Sequence, residues 1–100
     1  MSLIPIIVCA LRDVYDPEVG LNVVDLGLVY QLVEKDGQVR VQMSMTHQQH
    51  ALTKYITGMA EATIRQTVNG VKSVSVELVW EPAWQASMID EAARSRLVHT

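Results

Sequence analysis

Two histidines stand three residues apart in the stretch Met43-Ser-Met-Thr-His-Gln-Gln-His-Ala-Leu52, where an apolar, alternating run gives way to a helix-like one. His47 and His50 have the widest chemical reach in this chain, because a neutral imidazole ligates zinc, iron, copper or nickel. A turn into a helix presents unpaired backbone N–H groups and the positive end of the helix dipole. That field disfavours imidazolium and keeps a ring there neutral, the form that binds metal. The two rings share a face if the first helical turn starts early enough. Two imidazoles are half of a tetrahedral zinc site. Glu18 and Asp25, in the other carboxylate-bearing polar loop, are the side chains that could complete a mixed nitrogen and oxygen set. The same spacing also suits a plain polar turn, and spacing alone does not bring the two loops together.

Other chemistries lack their residues. There is no Walker glycine loop, no GxGxxG after a strand and no nucleophile elbow. The single Cys9 lies in an apolar run and reads as a small buried hydrophobe rather than a nucleophile. One cysteine also excludes an internal disulfide and the spacings of zinc knuckles. Eight basic against eleven acidic residues give a formal charge of −3, so the general attraction to phosphate backbones is missing and nucleic acid is not an expected partner. The apolar opening MSLIPIIVCAL meets Arg12 and Asp13 well short of the ~18 residues a membrane span needs, and no basic segment precedes it. The expected location is the cytoplasm.

The elements that must position the histidines follow from periodicity. With 100 residues, 49% hydrophobic and 19% charged, the chain is expected to form one domain over 1–100 with one modest core. Ile4, Ile7, Val8, Leu11, Val14 and Tyr15 recur at helical period, so a first helix of about three turns is expected. Asp16-Pro17-Glu18-Val19-Gly20 stops it, and a loop follows through Asn22 to Asp25. Leu28–Glu34 and Val39–Met45 read as strands joined at Asp36-Gly37, a strong hairpin signal. From Leu52 the period changes to Leu52, Tyr55, Ile56, Met59, Ala60, Thr63 and Ile64, an amphipathic helix that Asn69-Gly70 ends. Val71–Trp80 alternates again as a third strand, and a right-handed crossover is expected if it lies parallel beside its neighbour. After the break at Glu81-Pro82-Ala83-Trp84, Ser87-Met88-Ile89-Asp90 has the form of a capping box opening a last helix to about Leu97. The order α-β-β-α-β-α predicts an α+β two-layer sandwich on a small mixed three-stranded sheet.

Three segments carry a family resemblance. They are Asp16-Pro-Glu-Val-Gly-Leu-Asn-Val-Val-Asp-Leu-Gly-Leu-Val-Tyr30, then Met43–Leu52, then Val76-Glu-Leu-Val-Trp-Glu-Pro-Ala-Trp84. Together they resemble the signatures of the PaaD/SufT-like family, which includes small domains of iron-sulfur targeting factors and phenylacetate-degradation proteins. The resemblance runs from about Leu11 to Leu97. It implies a fold like that of iron-sulfur cluster assembly domains. It also implies a non-catalytic role in assembling or delivering clusters or in maturing metalloenzymes.

The family turn is close to T-T-P-G-C-P, whose cysteine is the presumed cluster or metal ligand. Aligned without gaps, Thr46 matches the first threonine, His47 the second, Gln48 the proline, Gln49 the glycine, His50 the cysteine and Ala51 the second proline. Either His50 replaces that cysteine as a ligand, as histidine does on one iron of Rieske centres, or ligation is lost and a binding surface remains. On the first reading the metal set is His50, His47 and Glu18, and the cofactor is iron, an iron-sulfur cluster or zinc. On the second the chain is an interaction module or accessory subunit. A third reading, a small hydrolase or metalloenzyme with Glu18 as general base, uses the same three residues.

Partner contacts are expected from Asp16, Glu18, Asn22, Asp25, Thr46 and Trp84, with assembly machinery or a client metalloenzyme as the partner. Asp16 and Asn22 also suit turn geometry and Asp25 a loop brace, whereas Trp80 is expected packed and Trp84 exposed as an interface anchor. Tyr30 and Tyr55 read as core or rim. A homodimer is a further expectation, since two chains could pool four histidines or pair strand edges.

Overall fold

The computed structural model describes residues 2–48 and 50–98. α1 spans Ile4–Leu11, with Pro5 in its first turn where no intrahelical N–H is lost. It makes about two turns rather than three, because the chain leaves the helix at Arg12 and Asp13. Val14 still reaches the core, but Tyr15 belongs to a strand and is exposed. α1 buries Ile7, Ala10 and Leu11. Cys9 is exposed on its outer side, not buried as its apolar surroundings suggested.

Two very short strands follow, β1 (Tyr15–Asp16) and β2 (Leu21–Asn22), paired antiparallel around the Pro17–Gly20 turn. The three-stranded sheet is built from β3 (Val29–Lys35), β4 (Gln38–Met43) and β5 (Ser73–Leu78) in the order β3-β4-β5. β3 and β4 form the expected hairpin, and Asp36 and Gly37 both take positive φ, 53° and 84°, as a tight two-residue turn requires. β5 lies parallel beside β4, with Val41 opposite Val76, so the sheet is mixed. β4 alternates strictly: Val39, Val41 and Met43 are buried while Gln38 and Arg40 face solvent. The crossover between β4 and β5 is α2, Thr53–Thr67, which buries Ile56, Ala60 and Ile64 at its core-facing period. α1 packs against α2 and β3, and α2 against β5, which places the helices on one face of the sheet.

The Glu34 carboxylate joins the hairpin to the first helix. One oxygen accepts the Gly37 N–H at 2.9 Å and the other the Leu3 N–H at 3.3 Å. These bonds, that to Gly37 foremost, hold its pKa below the usual glutamate value of 4.5. A carboxylate with a lowered folded pKa stabilises the fold above the unfolded value, and that stability is lost as pH falls through the folded one. Glu34→Gln should therefore be less stable than the parent above pH 4.5, with the gap closing as the pH falls further. Urea unfolding across that range reads it.

The chain after β5 returns to the loop between β2 and β3. Tyr30 Oη donates to the Pro82 carbonyl at 2.8 Å, Trp84 Nε1 to the Leu26 carbonyl at 2.7 Å, and the Asp90 N–H to the Asp25 carbonyl at 2.7 Å. Gly27, at φ 76°, has the Met88 backbone where a Cβ would stand, so only glycine permits this approach. A 3₁₀ turn at Ala86–Met88 precedes α3, Glu91–Val98. The last helix thus opens at Asp90, whose carboxylate accepts the Ala93 N–H at 3.3 Å, not at the Ser87 capping box.

Candidate functional site

The site is made by two turns held rigidly from below. In the first, the Asp16 Oδ1 accepts the Glu18 N–H at 2.9 Å, and the Asp16 carbonyl accepts from Gly20 at 2.7 Å and Val19 at 3.2 Å. Gly20 sits at φ 84°, which closes the turn. A second turn follows, in which Asn22 Oδ1 accepts the Val24 and Asp25 N–H groups at 3.0 and 2.9 Å. Asn22 Nδ2 donates to Asp25 Oδ2 at 2.9 Å, and Arg12 pairs with Asp25 Oδ1 at 2.6 Å. Asn22 is buried and its side chain braces the backbone of the turn, while the half-buried Asp25 carboxylate ties Asn22 to Arg12. Asp25 stands outside the cluster of metal-capable side chains.

The histidine turn lies against the first of these. His47 and His50 stack with ring centroids 5.0 Å apart and planes 17° from parallel. They do so within the loop, since α2 begins only at Thr53, so the shared helical face expected from their spacing is replaced by ring stacking. His50 is fully buried at its side chain, as is Asp16, and His50 Nε2 meets Asp16 Oδ2 at 2.9 Å. The other ring nitrogen, Nδ1, accepts the Leu52 N–H at 3.1 Å. The His50 carbonyl accepts the Thr53 hydroxyl at 2.8 Å. His50 therefore satisfies donors at the start of α2 that no side chain within the helix caps.

Above this buried pair stand Glu18 and His47, 48% and 53% exposed at their side chains. Glu18 Oε1 lies 3.7 Å from both His47 Nε2 and His50 Nε2. Among the described residues, Glu18, His47 and His50 bring one ligand-type atom each within 4.8 Å of one another. The structure thus joins the three residues proposed from sequence as a metal set. Gln49, matched to the family glycine, lies outside the described residues.

The remaining expected contacts are placed differently. Thr46 is half-buried. Asp16 has no exposed surface, so it shapes the turn and does not itself touch a partner. Trp84 is packed against the core and bonded to Leu26, not displayed as an interface anchor. Trp80 is likewise packed on the core. Tyr30 is half-buried at the returning segment, whereas Tyr55 is exposed on α2. The Asp16–His50 pair was not visible in the sequence. Its one signal is that an Asx turn uses a single carboxylate oxygen of Asp16 and leaves the other for a distant donor.

Residues 7–78 match the model of a family described as iron-sulfur cluster assembly protein. The chain belongs to this family. It is 40% identical over 92 residues to an Fe-S protein maturation auxiliary factor of Porphyromonas gingivalis, covering 91% of this chain and 87% of that protein. It is 31% identical over 85 residues to the Fe-S protein maturation auxiliary factor SufT of Staphylococcus aureus, covering 84% of this chain and 96% of that one. Its fold is that of the domain of unknown function DUF59 from Bacillus anthracis, with a TM-score of 0.91 at 26% identity over 96% of this chain and 92% of the other. The α+β sandwich on a small mixed sheet is thus the fold of this family. The histidine turn and the Asp16–Gly20 turn both lie within the matched residues.

Proposed function

We infer that this chain is a non-catalytic auxiliary factor in the maturation of iron-sulfur proteins, acting in the cytoplasm through contacts with assembly or client proteins. Family membership and the role named for its relatives support the reading. The observation that carries it to particular residues is the half-exposed Glu18–His47 pair, raised on a buried pair and contributed by two turns that both lie within the residues matched to the family. An iron-sulfur cluster enters this picture as cargo. No helix among the described residues is long and apolar enough to cross a membrane, which accords with partners met in solution.

Deletion of the gene from its host should lower the activity of enzymes that depend on iron-sulfur clusters, and the parent gene should restore it. A Glu18→Ala/His47→Ala double variant, folded because both side chains stand at the surface, should restore less than half. Unchanged cluster-enzyme activities in the deletion strain would overturn the reading, and full rescue by the double variant would move the contact surface elsewhere.

A further inference from the structure

A histidine standing where the family pattern has cysteine invites a ligand role, and its two ring nitrogens decide the matter. The Leu52 backbone N–H meets Nδ1 at 3.1 Å. A backbone amide only donates, so Nδ1 must offer its lone pair. The ring proton then sits on Nε2, where Asp16 Oδ2 accepts it at 2.9 Å. Both nitrogens are engaged, in a side chain with no exposed surface.

We propose that His50 is a positioning residue and not a metal ligand: it carries a hydrogen-bond relay from the Asp16 carboxylate through the imidazole to the amide at the start of α2. A metal on Nε2 needs that nitrogen's lone pair. The proton of a neutral ring would then move to Nδ1, where it would face the Leu52 N–H donor to donor. A metal on Nδ1 would displace the same amide and leave a buried donor unpaired. A cysteine at this position cannot span both partners, since one sulfur replaces two nitrogens on opposite sides of a ring. Histidine here thus exchanges ligation for connection: it ties the Asp16–Gly20 turn to α2 and supports the stacked His47 ring and, through the Asp16 turn, Glu18.

The metal set drawn from sequence therefore does not fit as it stands. With His50 withheld, the described residues of this cluster offer Glu18 Oε1 and His47 Nε2, two donors against the four of a closed tetrahedral site. Iron or zinc held at this surface would need further ligands from outside the cluster, supplied by water or by a partner.

This inference rests on hydrogen-bond geometry and not on the maturation role, so the two fail separately. The test is long-range proton–nitrogen NMR of the tag-free, nitrogen-15-labelled full chain at neutral pH, before and after zinc is added. The expected spectrum shows a protonated, pyrrole-type Nε2 and an unprotonated Nδ1 at His50, both retained at saturating zinc whether or not His47 signals move. His50→Gln, which keeps an N–H for Asp16, and His50→Asn, which keeps an oxygen for Leu52, should each preserve the His47 ring signals better than His50→Ala. A proton on Nδ1 in the metal-free chain overturns the proposal. So does loss of the Nε2 proton with a metal-type shift on zinc addition.

Discussion

Asp16→Ala should lower the unfolding free energy by about 3 kcal/mol, a larger loss than any substitution at the exposed residues of the site. The carboxylate accepts the Glu18 N–H and the buried His50 Nε2–H, both at 2.9 Å. Removing it loses two charge-assisted bonds and strands a buried imidazole N–H, each at about 1–3 kcal/mol. A domain of this size has only about 5–15 kcal/mol in all. The melting temperature should fall by about 12–24 °C at 4–8 °C per kcal/mol. Asp16→Asn keeps an oxygen for Glu18 and sets its amide against the His50 N–H, so it should fall between parent and alanine variant. Thermal and urea unfolding of the three chains decide it, and an alanine variant as stable as the parent would mean that the buried pair contributes nothing.

Trp84→Ala should cost about 2–4 kcal/mol in the isolated chain, somewhat less than a fully buried tryptophan because the ring is only partly covered. Trp84→Phe retains most of the packing and loses the 2.7 Å bond to the Leu26 carbonyl, for about 1 kcal/mol. The pair of variants separates the two roles open to this residue. A docking anchor would lose partner affinity and leave the stability of the free chain untouched; a strut loses stability with no partner present. Denaturant unfolding of the purified chains is sufficient.

Periodicity located the elements well where one period ruled a long segment. The alternation of Val39, Val41 and Met43 and the 3.6-residue recurrence of Ile56, Ala60 and Ile64 each have one solution that buries the apolar face. Asp36-Gly37 fixed the hairpin because few residue pairs tolerate its backbone. Elements too short to show a period were missed. β1 and β2 have two residues each and owe their pairing to the turn between them. The exposure of Cys9 is a matter of which side of α1 faces the sheet, and in an almost wholly apolar helix composition does not mark that side.

At the site, the residue types were legible and the partnerships were not. His47, His50 and Glu18 were drawn together from chemistry and family pattern, and the fold does bring them together. The bond from Asp16 to His50 crosses 34 positions of sequence, and the one from Leu52 to His50 uses a backbone amide that no sequence displays as a special residue. Those two contacts decide what His50 can do. Trp84 was misplaced for a related reason: a loop tryptophan after proline looks exposed until the Leu26 carbonyl, 58 positions away, is placed beside it.

That last separation bears on when the molecule becomes competent during its own synthesis. Leu26 leaves the ribosome 58 residues before Trp84, a delay of roughly 3–12 s at about 5–20 residues per second. Until then the segment carrying Asp25, Leu26 and Gly27 lacks the strand of chain that clasps it. A half-made chain already contains Glu18, His47 and the Asp16–His50 pair beneath them, whereas the neighbouring Asp25–Gly27 segment is clasped only once Trp84 has emerged.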